Sequence, residues 1–206
     1  MVVPVLAAKM EQLGVPGVAV DSRHVIATTA DRLNAEIVFD ATRHRAGTTL
    51  LPLLQDGFVP VMTGYLGSYH ADEVTGDLSD FGKPGETNLV GSGGSDYIAT
   101  GTAAAIGARR ALLMKGPMRG NVAGVFTADP REDEHAALIT RMPYQDAIGF
   151  EGRVLHPRAA EPLMQDKIPL WVLSLSASER QPNDPPGTVI YDTNRGSQRQ
   201  IGGIEL

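Results

Sequence analysis

An α/β fold, a mostly parallel sheet covered by helices, is predicted by three observations. Short apolar runs alternate with helical patterns through the first half of the chain. Phe58 to Thr63 is apolar throughout rather than alternating, as suits an interior parallel strand buried on both faces. The 206 residues carry 23 glycines and 14 prolines, the punctuation of short strands, tight turns and helix ends rather than of a helical bundle.

Val2 to Leu13 reads as a helix ending at Gly14, with Pro4 confined to its first turn. Gly17 to Asp21 and Glu36 to Phe39 read as strands. Thr48 to Gln55 places Leu50, Leu51, Leu53 and Leu54 on one broad face before Gly57, a helix with a glycine stop. After the Phe58 to Thr63 strand, Ser68 to Thr87 is polar, acidic and broken by glycine, and reads as a long lid-like loop. Ser95 to Ala108 is an alanine-rich helix opened by a Ser95-Asp96 cap, and Ala111 to Lys115 is the strand after it. Gly116 to Asn121 breaks the pattern. Pro143 to Phe150 and Pro157 to Gln165 are short helices opened by proline, Ile168 to Leu173 is a buried strand, and Gly187 to Tyr191 is an edge strand. A domain over 1–192 and a polar tail over 193–206 follow from this division.

Composition narrows the function classes. With 42% hydrophobic and 20% charged residues the chain is an ordinary globular one, and aromatics at 5% leave a mostly aliphatic core. No apolar run approaches the roughly 20 residues that cross a bilayer. The first residues show neither a basic n-region nor a cleavage pattern, so a cytoplasmic chain is expected. The absence of cysteine removes disulfides, thiol nucleophiles and thiolate metal sites. A net charge of −6 without a dense Lys/Arg cluster argues against a nucleic-acid partner.

Three segments carry chemistry. Gly91-Ser92-Gly93-Gly94-Ser95-Asp96 runs straight into the alanine-rich helix, so backbone N–H groups and the helix start together suit a phosphate or carboxylate. A plain turn with an N-cap explains the same residues equally well. It is neither the dinucleotide fingerprint, since Asp96 stands where the third glycine belongs, nor a P-loop. Gly124 to Arg131 is a glycine turn with an arginine in reach of a phosphate, or an Asx turn at Asp129 with Arg131 solvated. Arg153-Val154-Leu155-His156-Pro157-Arg158 steps into a proline-started helix, where His156 by itself suits a helix-start hydrogen bond. His70, Asp72 and Glu73 fit a solvated loop better than a metal site.

In this order the segments resemble the catalytic domain of aspartate kinases, in the amino-acid kinase superfamily. That family runs through Thr-Gly-Phe-Ile-Gly, Gly-Arg-Gly-Gly-Ser-Asp-Tyr, Thr-Asp-Val-Asp-Gly-Val-Tyr-Thr-Ala-Asp-Pro-Arg, Lys-Val-Leu-His-Pro-Arg-Ala and Pro-Gly-Thr. Here they stand as Thr63 to Gly67, Gly91 to Tyr97, Val122 to Arg131, Arg153 to Ala159 and Pro186 to Thr188, five ordered matches across about 125 residues.

The resemblance implies a three-layer αβα sandwich, incomplete at its N-terminal lobe. It implies transfer of the ATP γ-phosphoryl group, with Mg²⁺, to the side-chain carboxylate of aspartate, a chemistry of positioning and charge neutralisation. Asp96 falls at the catalytic position, and Tyr65, Ser92 and Ser95 join it around the substrate. Gly91, Gly93, Gly94, Phe126, Asp129, Arg131 and Arg153 fall at the nucleotide, Arg153 standing in for the family lysine.

The departures matter too. The family's opening Lys-Phe-Gly-Gly strand and the glutamate that holds the substrate amino group have no counterpart, so roughly the first third of a kinase domain is expected to be absent. The family arginine that would clamp the substrate α-carboxylate is Ser92, which cannot replace its charge. Lys115 to Ala123 replaces the Thr-Asp-Val-Asp run, and Lys115 or Arg119 is the candidate for a replacement cation. Beside the family pattern, regulatory domains of the ACT type are not expected, nor is feedback by lysine or threonine. A homo-oligomer, or a partner chain supplying the missing lobe, is the expected assembly. A noncatalytic subunit and a kinase for another carboxylate are the alternatives.

Overall fold

The computed structural model describes residues 2–70, 85–115, 124–128, 132–150, 156–174 and 187–193. Helix α1 (Val2–Gln12) packs on strand β1 (Gly17–Val20), which pairs in parallel with β3 (Val59–Met62). Strand β2 (Ala27–Thr28) pairs in parallel with β4 (Leu66–Tyr69), and β4 pairs antiparallel with β5 (Thr87–Leu89). Helix α2 (Phe39–Gln55) covers β2 and β3, and α3 (Gly94–Ala105) packs against α2. A second sheet has the order β6-β10-β11-β9, formed by β6 (Ala111–Lys115), β10 (Leu170–Ser174), β11 (Thr188–Tyr191) and β9 (Arg141–Pro143). Its β6–β10 and β11–β9 pairs are parallel and β10–β11 is antiparallel. A small ribbon joins β7 (Val125–Phe126) to β8 (Leu138–Ile139), and α4 (Tyr144–Gly149) and α5 (Pro157–Gln165) are the remaining α-helices among the described residues.

Two cores result. Val25, Ile26, Ala46, Leu50, Val90 and Ile98 form one, and Leu113, Tyr144, Leu163, Leu170, Val172 and Ile190 lead the other. Helix α3 serves both, with Ala103 and Ala104 in the second and Tyr97, Ile98 and Ala105 in the first. Its small side chains permit this, since alanine lets neighbouring helices approach closely on either side. Tyr144 is fully buried and its hydroxyl donates to the Ile168 carbonyl, tying α4 to the segment before β10. Burial pushes the Tyr144 phenol well above its ordinary range, with Asp192 adding to the shift.

Several sequence expectations need correcting. Glu36 to Phe39 is not a strand: Ile37 makes a single bridge to Thr28, and a helix begins at Phe39 rather than Thr48. Its buried stripe is Thr42, Ala46 and Leu50, and Thr42 is acceptable inside because its hydroxyl accepts the Ala27 N–H at 3.0 Å. β3 is not interior, since its one partner among the described residues is β1 and Val59 is exposed. β11, expected at an edge, lies between β10 and β9 with Thr188 and Ile190 fully buried.

The expected 68–87 loop is flanked by the β4–β5 hairpin, which takes in Ser68, Tyr69 and Thr87; residues 71–84 lie outside the described set. α3 ends at Ala105, three residues short of expectation, and its N-cap is Gly93 rather than Ser95 and Asp96. Segment 116–121 and the tail beyond Thr193 also lie outside the described residues. Among those described, no helix is long and apolar enough to cross a membrane.

Candidate functional site

The glycine-rich segment forms a tight turn that delivers the chain into α3. Gly91 and Gly93 hold φ of +75° and +72°, the left-handed region, and the Gly94 N–H donates to the Gly91 carbonyl at 3.1 Å. Gly93 supplies no side-chain cap, so the N-terminal end of this 12-residue helix is left to backbone donors and whatever anion meets them. Ser92 and Ser95 are exposed and Asp96 is half-buried in the first turn.

The segment between β3 and β4 forms the facing wall. Tyr65 is held at φ +67°, an uncommon conformation for a residue with a Cβ, and its carbonyl accepts the Val90 N–H at 3.1 Å. Its ring lies on the helix start: a Cβ on Gly94 would come within 2.9 Å of the Tyr65 Cδ1. Gly64 faces Ser95, whose Oγ would stand 2.5 Å from a Cβ there. The Ser22 and Thr63 hydroxyls meet at 2.6 Å just beyond the carboxyl ends of β1 and β3. Ligands of open α/β sheets bind at such carboxyl ends.

Two further segments close on the turn from below and beside. His156 caps α5, accepting the Arg158 N–H, and its Cβ and Cγ would lie 2.8 Å from a Cβ on Gly93. Asp31 accepts the N–H groups of Leu33 and Asn34, fixing a turn whose Asn34 side chain packs on Gly91. Those backbone bonds hold the Asp31 carboxyl below its usual range, with the Arg158 charge a lesser contribution. Burial raises the Tyr97 phenol, opposed by its hydrogen bond from the Ile37 N–H at 3.2 Å.

Gly91, Ser92, Gly93, Gly94, Ser95, Asp96 and Tyr65 are thus brought together. Phe126 sits apart on the β7–β8 ribbon, which is tied to β11 through Thr188. Asp129, Arg131 and Arg153 lie outside the described residues. Asn34 and Arg158 escaped the sequence reading as parts of the site; the proline-opened helix after His156 was the available signal for Arg158. His156, read from sequence as a helix-start residue, does cap α5. Among the described residues no group of three or more His, Asp or Glu side chains could hold a metal ion.

Comparison with known proteins bears on this geometry. The family described as "Amino acid kinase family" matches residues 1–174. A bifunctional aspartokinase/homoserine dehydrogenase of Buchnera aphidicola is 40% identical over 119 residues, which cover 56% of this chain and 13% of the relative. Lysine-sensitive aspartokinase 3 of Escherichia coli is 31% identical over 155 residues, 74% of this chain and 30% of the relative. The chain therefore spans under a third of either relative's length. The crystal structure of E. coli aspartokinase III in complex with aspartate and ADP superposes with a TM-score of 0.71 at 27% identity, over 91% of this chain and 37% of that one. An isopentenyl phosphate kinase shares the fold at a TM-score of 0.57 and 17% identity.

Proposed function

Because this chain belongs to the amino acid kinase family, we propose that it transfers the γ-phosphoryl group of ATP to the side-chain carboxylate of aspartate. The observation that carries this reading is the Gly91–Asp96 turn at the uncapped start of α3, walled by Tyr65 and Gly64 at the carboxyl end of a parallel strand pair. A site of this kind offers backbone donors to a phosphate or carboxylate.

The nucleophile, a carboxylate of ordinary pKa near 3.9, is already ionised at neutral pH. One of its oxygens bonds to the γ-phosphorus as the bond to the β,γ-bridging oxygen breaks, giving an aspartyl acyl phosphate and ADP with no proton to move. The protein's task is alignment and neutralisation of like charges. The first-turn N–H groups of α3 beyond Gly94, which is itself bonded to the Gly91 carbonyl, meet anionic oxygens, and Tyr65 and Ser95 border the acceptor. Asp96 supplies negative charge for the cations that arrive with the reactants, the aspartate ammonium and Mg²⁺. Mg²⁺ ordinarily binds through one or two carboxylates together with substrate phosphates, so one half-buried carboxylate fits it; the ion would supply charge neutralisation on the phosphates. By motif position Phe126, Asp129, Arg131 and Arg153 take the nucleotide side. Ser92, in place of a cationic clamp, leaves the acceptor's α-carboxylate to backbone donors.

The test is incubation with Mg·ATP, hydroxylamine and a panel of carboxylates led by aspartate, reading hydroxamate as trapped acyl phosphate. Hydroxamate with aspartate is expected, at least a hundredfold lower in Asp96→Asn. Hydroxamate with another acid alone would replace the acceptor, and an Asp96→Asn variant as active as its parent would refute the assignment of Asp96.

We place this activity in the cytoplasm, in a self-associated form. Exposed Val2, Val5, Leu6 and Leu13 on and just after α1, with Leu112 and Met114 on β6, support association, which light scattering would register as a mass above that of one chain.

A further inference from the structure

We propose that Arg158 is a positioning residue that locks the glycine turn in the shape the site requires. Its side chain is half-buried at the start of α5 and reaches three segments far apart in sequence. Nη1 donates to the Asn34 Oδ1 at 2.9 Å and to the Val90 carbonyl at 3.2 Å, and Nη2 donates to the Ala35 carbonyl at 3.0 Å. The guanidinium also lies 4.8 Å from the centre of the Tyr97 ring, one residue beyond Asp96.

Each contact acts on the turn. Val90 is the residue immediately before it, and its peptide is gripped on both sides, N–H by the Tyr65 carbonyl and carbonyl by Arg158. The Asn34 oxygen that Arg158 holds is the one packed on Gly91. Stacking on Tyr97 fixes the first turn of α3, and His156, two residues earlier, packs beneath Gly93. Arginine suits the place because a planar fork can serve several fixed acceptors while its face covers a ring; lysine offers neither geometry. The three hydrogen-bond acceptors are neutral, and the guanidinium charge is felt by the Asp31 carboxylate of the turn that carries Asn34. That the turn so held is a phosphoryl-transfer site rests on the function proposed above; that Arg158 holds it does not.

Amide hydrogen exchange separates the two claims. The Val90, Gly94 and Tyr97 amides are hydrogen-bonded to Tyr65, Gly91 and Gly93 respectively and report the turn directly, with amides of β10 as the reference for global opening. In Arg158→Ala, exchange at these three is expected to quicken at least tenfold relative to β10. Arg158→Lys should fail to restore it, and Asn34→Ala, at an exposed position, should quicken Val90 in the same direction if Arg158→Ala does not fold. Parent-like rates at the three amides, an equal acceleration in β10, or full rescue by lysine would each overturn the proposal. If the parent makes aspartyl hydroxamate, Arg158→Ala should lower kcat at least tenfold. A parent that makes none would refute the phosphotransferase reading while the exchange rates still decide the role of Arg158.

Discussion

Replacing Gly93 with alanine places one methyl group where two constraints meet. At φ +72° an L-residue with a Cβ loses about 1–2 kcal/mol relative to glycine. The new Cβ would also stand 2.8 Å from both the Cβ and the Cγ of His156, atoms fixed at the N-cap of α5 that cannot swing away like the end of a long side chain. Overpacking of this kind costs about 1–3 kcal/mol. The sum is about 2–5 kcal/mol, a large part of an ordinary domain's stability. Gly57→Ala is the matched control, for φ is +83° there and nothing lies within 4 Å of the new Cβ, so only the backbone penalty remains. Urea unfolding of both variants at 25 °C should show Gly93→Ala less stable than Gly57→Ala by about 1–3 kcal/mol. The hydroxamate assay should register a loss for Gly93→Ala alone. Equal destabilisation of the two, within about 0.5 kcal/mol, would mean that His156 does not pack against the turn and that the site lacks its floor.

Other positions test the frame around the site. Thr188 is fully buried, and its Oγ1 accepts the Val125 N–H at 2.7 Å and donates to the Ile139 carbonyl at 2.7 Å. Thr188→Val keeps the shape and orphans both groups, so a loss of about 2–4 kcal/mol in urea unfolding is expected; a loss under about 1 kcal/mol would show the ribbon to be held otherwise. The hydrogen bonds from the Arg23 side chain hold the Asp21 carboxyl at about 2, below the value near 3.9 of an unfolded chain. A depressed carboxyl contributes stability that is full above about pH 4 and lost as pH falls toward 2. An NMR titration of Asp21 should find its midpoint near 2, and Arg23→Ala should return it toward the ordinary value; an unmoved midpoint would remove Arg23 as the cause.

What was legible in the sequence divides along physical lines. Strands β1, β3, β6 and β10 and helices α1, α3 and α5 stand out because each is an apolar run stopped by glycine or opened by proline. β2, β4 and β5 do not, because they are short and their buried positions include Thr28, Ser68 and Asn88. Tertiary partners meet most of these groups: Asn88 Nδ2 donates to the Thr29 carbonyl at 2.8 Å, though its Oδ1 is buried without a partner among the described residues, and Ser68 Oγ donates to the Arg23 carbonyl at 2.8 Å. The first half of α2 was hidden in the same way by Thr42. At the site, the glycine turn and Asp96 were legible as a local motif, whereas Asn34, Val90 and Arg158 meet only in three dimensions and leave no spacing to read.

The same contrast explains why this fold can carry such a site at all. Glycine turns are loose in isolation because glycine gives up more conformational freedom than any other residue. Here the turn enters α3, a helix packed into both cores, so its downstream end is fixed relative to each. Its upstream end leaves β5 with Val90 fully buried. Tyr65 and Gly64 reach it from the first core's side and His156 and Arg158 from the second. A methyl at Gly93 or a lost guanidinium at Arg158 therefore disturbs the seam between the two cores, while Ser92 is exposed and packs into neither. Under the function proposed above, acceptor specificity falls to Ser92 and loop geometry to Gly93 and its supports, so each can be varied while the other is measured.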